Sequence, residues 1–242
     1  MSEGVELRLV LHAMRLLGTA SSERVAERYA DLTGLADPAP ADPVPADRDA
    51  TADRDATADR DADSVVDRVQ HLLISAERSG WVSHRSGYFA GWSLTSEGRS
   101  HAELLLRAEI EESDTLLDVD AAYRRFVTIN RSFLEVCTDW QVLGAGTGTA
   151  RVNDHSDAEH DLAVLERLEV HHRQVVAITV DLSGSLGRFG SYRHRFERAM
   201  QGISAGNLDW FVKPTIDSYH SVWFELHEDL LVTLGIDRSA ER

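Results

Sequence analysis

Apolar residues recur at helical spacing along most of the chain, and the runs break at glycine, proline or capping residues. Val5, Leu9, Leu11, His12, Leu16 and Leu17 form a first run that Gly18 ends. Thr19 to Glu23 supplies a cap for a second helix, whose stripe is Val25, Ala26, Tyr29 and Leu32 before Gly34 closes it. A third helix starts at Asp63 or Ser64 and runs through Arg78, with Val65, Val66, Val69, Leu72, Leu73 and Ala76 turned inward. The period then changes. Gly80 stops the helix, and the segment to Leu94 reads as two short strands around the turn His84-Arg85-Ser86-Gly87. Thr95 or Ser96, with the acidic Glu97 behind it, caps a further helix.

The second half reads as helical throughout. Tyr123, Phe126, Val127, Asn130, Phe133, Leu134 and Cys137 make one apolar face, and Gly144, Gly146 and Gly148 mark a loop. Asn153-Asp154-His155-Ser156 caps a long helix carrying Leu162, Leu165, Leu168, His172, Val175, Val176, Thr179, Leu182 and Leu186 on its inner side. Gly187 separates it from a helix with Phe189, Tyr192, Phe196, Met200 and Ile203. Lys213-Pro214 precedes a last helix from Thr215 to about Leu234, whose centre Val222-Trp223-Phe224 is apolar on all sides and is therefore expected to be buried. The fold class is mainly α. Residues 1–113 form one domain and residues 114–242 an all-α four-helix bundle.

Helix, hairpin, helix is the order in which a winged helix-turn-helix presents its recognition helix and its wing, here three helices plus a short β-hairpin. The first two turns of the third helix would then face base edges. Ser64, Arg68, Gln70 and His71 are its outward candidates, with Arg68 suited to guanine and Gln70 to adenine. Asp67 in the same turn opposes phosphate. His84 and Arg85 at the hairpin tip are candidates for backbone or minor-groove contact, while Trp81, Phe89, Trp92 and Leu94 are assigned to packing. Gly80-Trp81-Val82 and Ser93-Leu94-Thr95-Ser96-Glu97-Gly98-Arg99 resemble the winged-helix transcription regulators of the MarR and PadR groups over about residues 5–113. That resemblance implies a homodimer on a pseudo-palindromic operator, joined in part by the helix that starts near Ser96. The chain departs from the pattern in a long insert and in a hairpin sparse in Arg and Lys.

Charge narrows this picture. The chain stands at −16, whereas a duplex binder usually carries a basic face. The excess is uneven: residues 1–35 and 64–113 carry −1 and −2, and residues 36–63 and 114–242 carry −6 and −7. Residues 36–63 hold four of the five prolines and a six-residue repeat built on Ala-Asp-Arg-Asp-Ala-Thr, so the segment is expected to be a disordered acidic insert. A single cysteine, an acidic start with no signal-peptide core and no apolar run of membrane-spanning length point to a cytoplasmic protein without membrane association.

Polar residues on apolar faces are the functional handle of the second half. Asn130, His172, His220 and His227, with Trp140, Gln141, Asp154, His155, Tyr219 and Trp223, make a candidate small-molecule site of aromatic walls and convergent polar groups. Each must find a partner, because an unpaired buried polar group costs about 1–3 kcal/mol. No spacing matches a metal signature, and there is no Gly-rich phosphate loop, His-Glu-x-x-His or Gly-x-Ser-x-Gly, so no metal, cofactor or enzymatic activity is expected. Two functions remain. One is a transcription regulator on operator DNA whose helical domain senses a small molecule or mediates dimerisation. The other is a winged-helix protein-interaction module that does not bind DNA.

Overall fold

The apolar runs of the first hundred residues close on one another around three helices. The computed structural model describes residues 2–35, 64–87, 90–146 and 148–238, so the repeat segment 36–63 and the packing assigned to Phe89 lie outside the described residues. The described residues are mainly helical and divide into two compact units, Met1–Glu112 and Ser113–Arg242.

In the first unit α1 spans Glu3–Leu17, α2 Ser22–Thr33 and α3 residues 64–78. Ser21 caps α2 by accepting from the Arg24 N–H at 3.3 Å. Between α1 and α2 the chain forms a two-residue strand, β1 (Thr19–Ala20), that its length conceals in the sequence. It pairs antiparallel with β3 (Gly91–Leu94), whose other edge pairs with β2 (Val82–Arg85), so the sheet order is β1-β3-β2. The expected hairpin therefore gains a third strand. Gly91 permits this closure, since a Cβ there would lie 2.8 Å from the Ala20 carbonyl oxygen. Leu9, Val10, Leu11, Ala13 and Met14 of α1 pack with Val25, Tyr29 and Leu32 of α2, Val69, Leu73 and Ala76 of α3, and Val82, Trp92 and Leu94 of the sheet. The helix α4 (Ser96–Ser113) joins α1 through Arg8–Glu109 at 3.1 Å and Arg15–Glu103 at 2.9 Å.

The second unit is a helical bundle of α5 (Leu116–Gln141), α6 (Ala158–Ser185), α7 (Gly190–Ser204) and α9 (Tyr219–Leu234), with a single turn, α8 (Asp209–Val212), before the last. Each long helix packs on two others, α5 on α6 and α9, α7 on α6 and α9, which closes a ring of four. The seam follows a seven-residue repeat. Val119, Phe126, Phe133 and Trp140 alternate with Ala122, Ile129 and Val136 on α5, and Val164, Leu168, His171, Val175, Ile178 and Leu182 face them from α6.

Several sequence expectations change here. Val127, Leu134 and Leu162 are exposed, not inward, and His171 takes the core position expected of its neighbour His172. Apolar residues flank the seam on both sides of these helices, so helical spacing alone leaves the register one residue uncertain. The last helix starts at Tyr219, capped by Ser218, because Pro214 opens a turn in place of the expected first helical turn. Phe224 is 48% exposed, against the expectation of a helix buried all round. The second unit is also not purely helical: β4 (Val142–Leu143) and β5 (Arg151–Val152) pair antiparallel across the glycine loop.

Candidate functional site

The hairpin, the start of α4 and the exposed side of α3 are built from a few short-range contacts. The Trp81 carbonyl, at the exit of α3, accepts from the Thr95 N–H at 3.0 Å, and the Thr95 hydroxyl donates to the Gly80 carbonyl at 2.7 Å. The same hydroxyl accepts from the Gly98 N–H at 2.9 Å and caps α4. Gly98 has to be glycine, because a Cβ would sit 1.8 Å from the Trp81 carbonyl oxygen. Arg99 donates to the Leu94 carbonyl at 3.1 Å. The Leu-Thr-x-x-Gly-Arg step is thus a splice that seats α4 against the hairpin base, where Trp81 stacks on His101 at 3.9 Å.

On α3 the structure separates the candidates. Ser64, Asp67, Arg68 and His71 are exposed, whereas Gln70 is half-buried. Arg68 donates through Nε to Glu6 of α1 at 2.9 Å and through Nη2 to the other carboxylate oxygen. Glu6 is buried and Arg68 is 57% exposed, so the pair sits at the rim of the core with its cationic side outward. Hydrogen bonding to Glu6, then its charge, raises the Arg68 guanidinium above its ordinary value. Burial, then the same carboxylate, raises the Tyr29 phenol. Gln70 accepts through Oε1 from the Ser22 hydroxyl, which in turn accepts from the Trp92 indole N–H at 3.1 Å. The hairpin candidates His84 and Arg85 are exposed, with the His84 ring 4.7 Å from that of Trp92 and the His84 backbone N–H donating to the Glu77 carboxylate at 3.2 Å.

No family model matches the chain, and no curated protein or solved structure matches it.

The candidate ligand residues of the second unit fall into two groups. The first surrounds Trp223, which stacks on Phe133 at 3.8 Å and donates from its indole N–H to Asn130 at 2.9 Å. The Tyr219 hydroxyl meets His172 Nδ1 at 3.4 Å, the His220 ring lies 6.3 Å from Phe133, and the buried His227 lies 5.2 Å from Phe126. Desolvation lowers both His172 and His220 below the ordinary imidazole value. The second group lies at the α5 end. The Trp140 ring packs at a tilt against His155, with centroids 4.5 Å apart, and His155 Nδ1 meets Asp161 at 3.0 Å. Buried Asn153, which sequence reasoning used only as a cap, ties Asp161 to the Trp140 carbonyl. Gln141 is exposed, and Asp154 is engaged with Ser156 at 2.6 Å, which lowers its carboxyl. Within the first group Asn130 pairs with Trp223 and His172 with Tyr219, while the rings of His220 and His227 pack against Phe133 and Phe126, and the second group braces a turn. Among the described residues, no cluster of three or more His, Cys, Asp or Glu is placed to hold a metal ion. No helix among them is long and apolar enough to cross a membrane.

A feature that hydropathy cannot reveal is the charged seam between α7 and α9. Arg195 is 2% exposed and holds Asp217 at 2.9 Å and Glu225 at 2.8 Å. Arg188, equally buried, holds Asp229 and Thr233, both at 2.5 Å, and the Tyr192 hydroxyl donates to Asp229 at 3.0 Å. Burial would lower the Arg195 guanidinium, but Glu225 and Asp217 outweigh it and hold it well above its ordinary value. Every charge in this seam has a partner, which is what a locking contact needs and a reactive site does not. Cys137 is inert for a different reason: burial pushes its thiol up to about 12.

Proposed function

We propose that the first unit is a winged helix-turn-helix and that the protein is a cytoplasmic DNA-binding regulator of the MarR/PadR type. The observation that carries this reading is the element order α1-β1-α2-α3-β2-β3-α4 with the sheet order β1-β3-β2. That arrangement leaves one face of α3 and the β2 residues His84 and Arg85 on the surface, as a groove-reading helix and its wing require. Arg68, His71, His84 and Arg85 supply the outward groups, and Arg78 and Ser75 continue the exposed face of α3. In this reading the helical unit mediates homodimerisation or senses a small molecule, and ligand binding there shifts the population of DNA-competent dimers.

Selection of genomic fragments by the full chain, followed by affinity at a series of salt concentrations, tests it. The expected result is an enriched sequence and a log–log salt slope of about −0.9 per phosphate neutralised. Binding without sequence preference or salt slope refutes it. One observation favours a second reading, a module that binds a protein: α3 exposes Asp67, and its Arg68 is already paired with a carboxylate. Salt-insensitive failure to bind any duplex favours that alternative.

A further inference from the structure

The large apolar side chains that α6 exposes all lie on one face of that helix. Its other sides pack on α5 and α7, yet Leu162, Val170 and Val180 are 58%, 45% and 44% exposed. A contiguous exposed apolar surface marks a place where something docks. Its pattern says what fits. Leu162, Glu166, Glu169, Arg173, Val176 and Val180 follow in alternating steps of four and three residues, the spacing of a coiled-coil seam. All but the half-buried Val176 are exposed. Beside them Ala163, Val170 and Ala177, also exposed and seven residues apart, make a second row.

Both rows read alike from either end. Leu162 and Val180 are equidistant from position 171, and so are Glu169 and Arg173, while Ala163 and Ala177 flank Val170. A second α6 laid antiparallel across this face, with its two-fold axis at Val170 and His171, sets Leu162 against Val180, Ala163 against Ala177, Val170 against its own copy and Glu169 against Arg173. Arg173 of the copy then stands between Glu169 and Glu166. Parallel pairing would instead oppose Glu169 to Glu169 and Arg173 to Arg173. The match matters because this unit carries thirteen basic against twenty acidic residues, so two copies repel wherever opposite charges do not meet. We infer that this face of α6 is a homodimer interface, in which two copies pack α6 against α6 in antiparallel order. The inference rests on the homodimer reading of the helical unit and gives that reading its surface. It does not depend on DNA binding by the first unit.

The test is sedimentation velocity of the full chain over a range of concentrations, with helicity by circular dichroism checked for each variant. The wild type should sediment as a dimer. Val170→Glu places two carboxylates face to face at the axis and should weaken the dimer about 100-fold. Glu169→Arg and Arg173→Glu should each weaken it about tenfold, and an equimolar mixture of the two should recover the dimer, since every such pair then opposes Arg to Glu. Leu134→Glu, at an exposed apolar position on α5, should leave it unchanged. A dimer indifferent to Val170→Glu, a mixture no tighter than its components, or an equal loss in Leu134→Glu overturns the inference and leaves the dimer reading standing. A wild-type chain that stays monomeric at every concentration overturns both.

Discussion

Replacing Gly98 by alanine places a methyl group where the backbone of Trp81 already lies. The Cβ would stand 1.8 Å from the Trp81 carbonyl oxygen and 2.7 Å from its carbon, and neither atom belongs to a side chain that can turn away. Ordinary contact requires a retreat of about 1.5 Å by the first turn of α4. Such a shift breaks the Thr95 N–H bond to the Trp81 carbonyl, the Thr95 hydroxyl bond to the Gly80 carbonyl and the cap on the Gly98 N–H. It also separates Trp81 from His101. Hydrogen bonds contribute about 1 kcal/mol each and overpacking costs about 1–3 kcal/mol, while alanine returns about 1 kcal/mol of helix propensity. The net destabilisation is about 3–5 kcal/mol. Urea unfolding of the full chain, followed by tryptophan fluorescence and far-UV circular dichroism, measures it. Gly184→Ala on α6, where a Cβ meets nothing within 4 Å, is the matched control and should stabilise by up to about 1 kcal/mol. If the Gly98→Ala and wild-type transitions coincide within about 0.5 kcal/mol, the close approach of α4 to Trp81 is wrong.

Three more outcomes follow from the second unit. Arg195→Ala leaves Asp217 and Glu225 facing each other without their cation and should destabilise by about 3–5 kcal/mol, whereas Arg125→Ala, from the exposed pair with Asp181, should cost less than about 1 kcal/mol; equal effects in urea titration would contradict the buried seam. His172 and His220 lie below the ordinary imidazole value when folded, so the unfolded chain takes up protons first as pH falls through about 6.5. Their contribution is complete above about pH 7 and is lost as pH drops toward the lowered folded values. The His172→Gln/His220→Gln double variant should flatten stability between pH 7 and 5.5, and an unchanged slope would exclude both groups. With its thiol at about 12, native Cys137 should resist Ellman's reagent at pH 8 and react once the chain is unfolded in urea; fast native labelling would show that the α5 seam is open.

Hydrophobic period and punctuation determine much of this protein without any coordinates. The stripes on α1, α2 and α3, the hairpin after Gly80, the capped start of α4 and the helical second half are local patterns, each set by residues within a few turns of one another. β1 was not legible, because two residues carry no period and their partners Trp92 and Ser93 lie more than 70 positions away. The one-residue rotation that puts His171, not His172, in the core was decided by packing, since several sides of α6 are apolar enough to bury. For the candidate site, spacing placed Arg68 and Gln70 on the outer side of α3 but could not show what stands behind them. Glu6 is 62 residues from Arg68 and Ser22 is 48 from Gln70. A hydrogen-bond donor type is written in the residue, yet which of its groups stay free depends on neighbours that only the closed fold supplies. The same reason hid Arg188 and Arg195: a charged residue reads as surface until a tertiary contact brings carboxylates to it, and burial is then tolerable because each charge is matched.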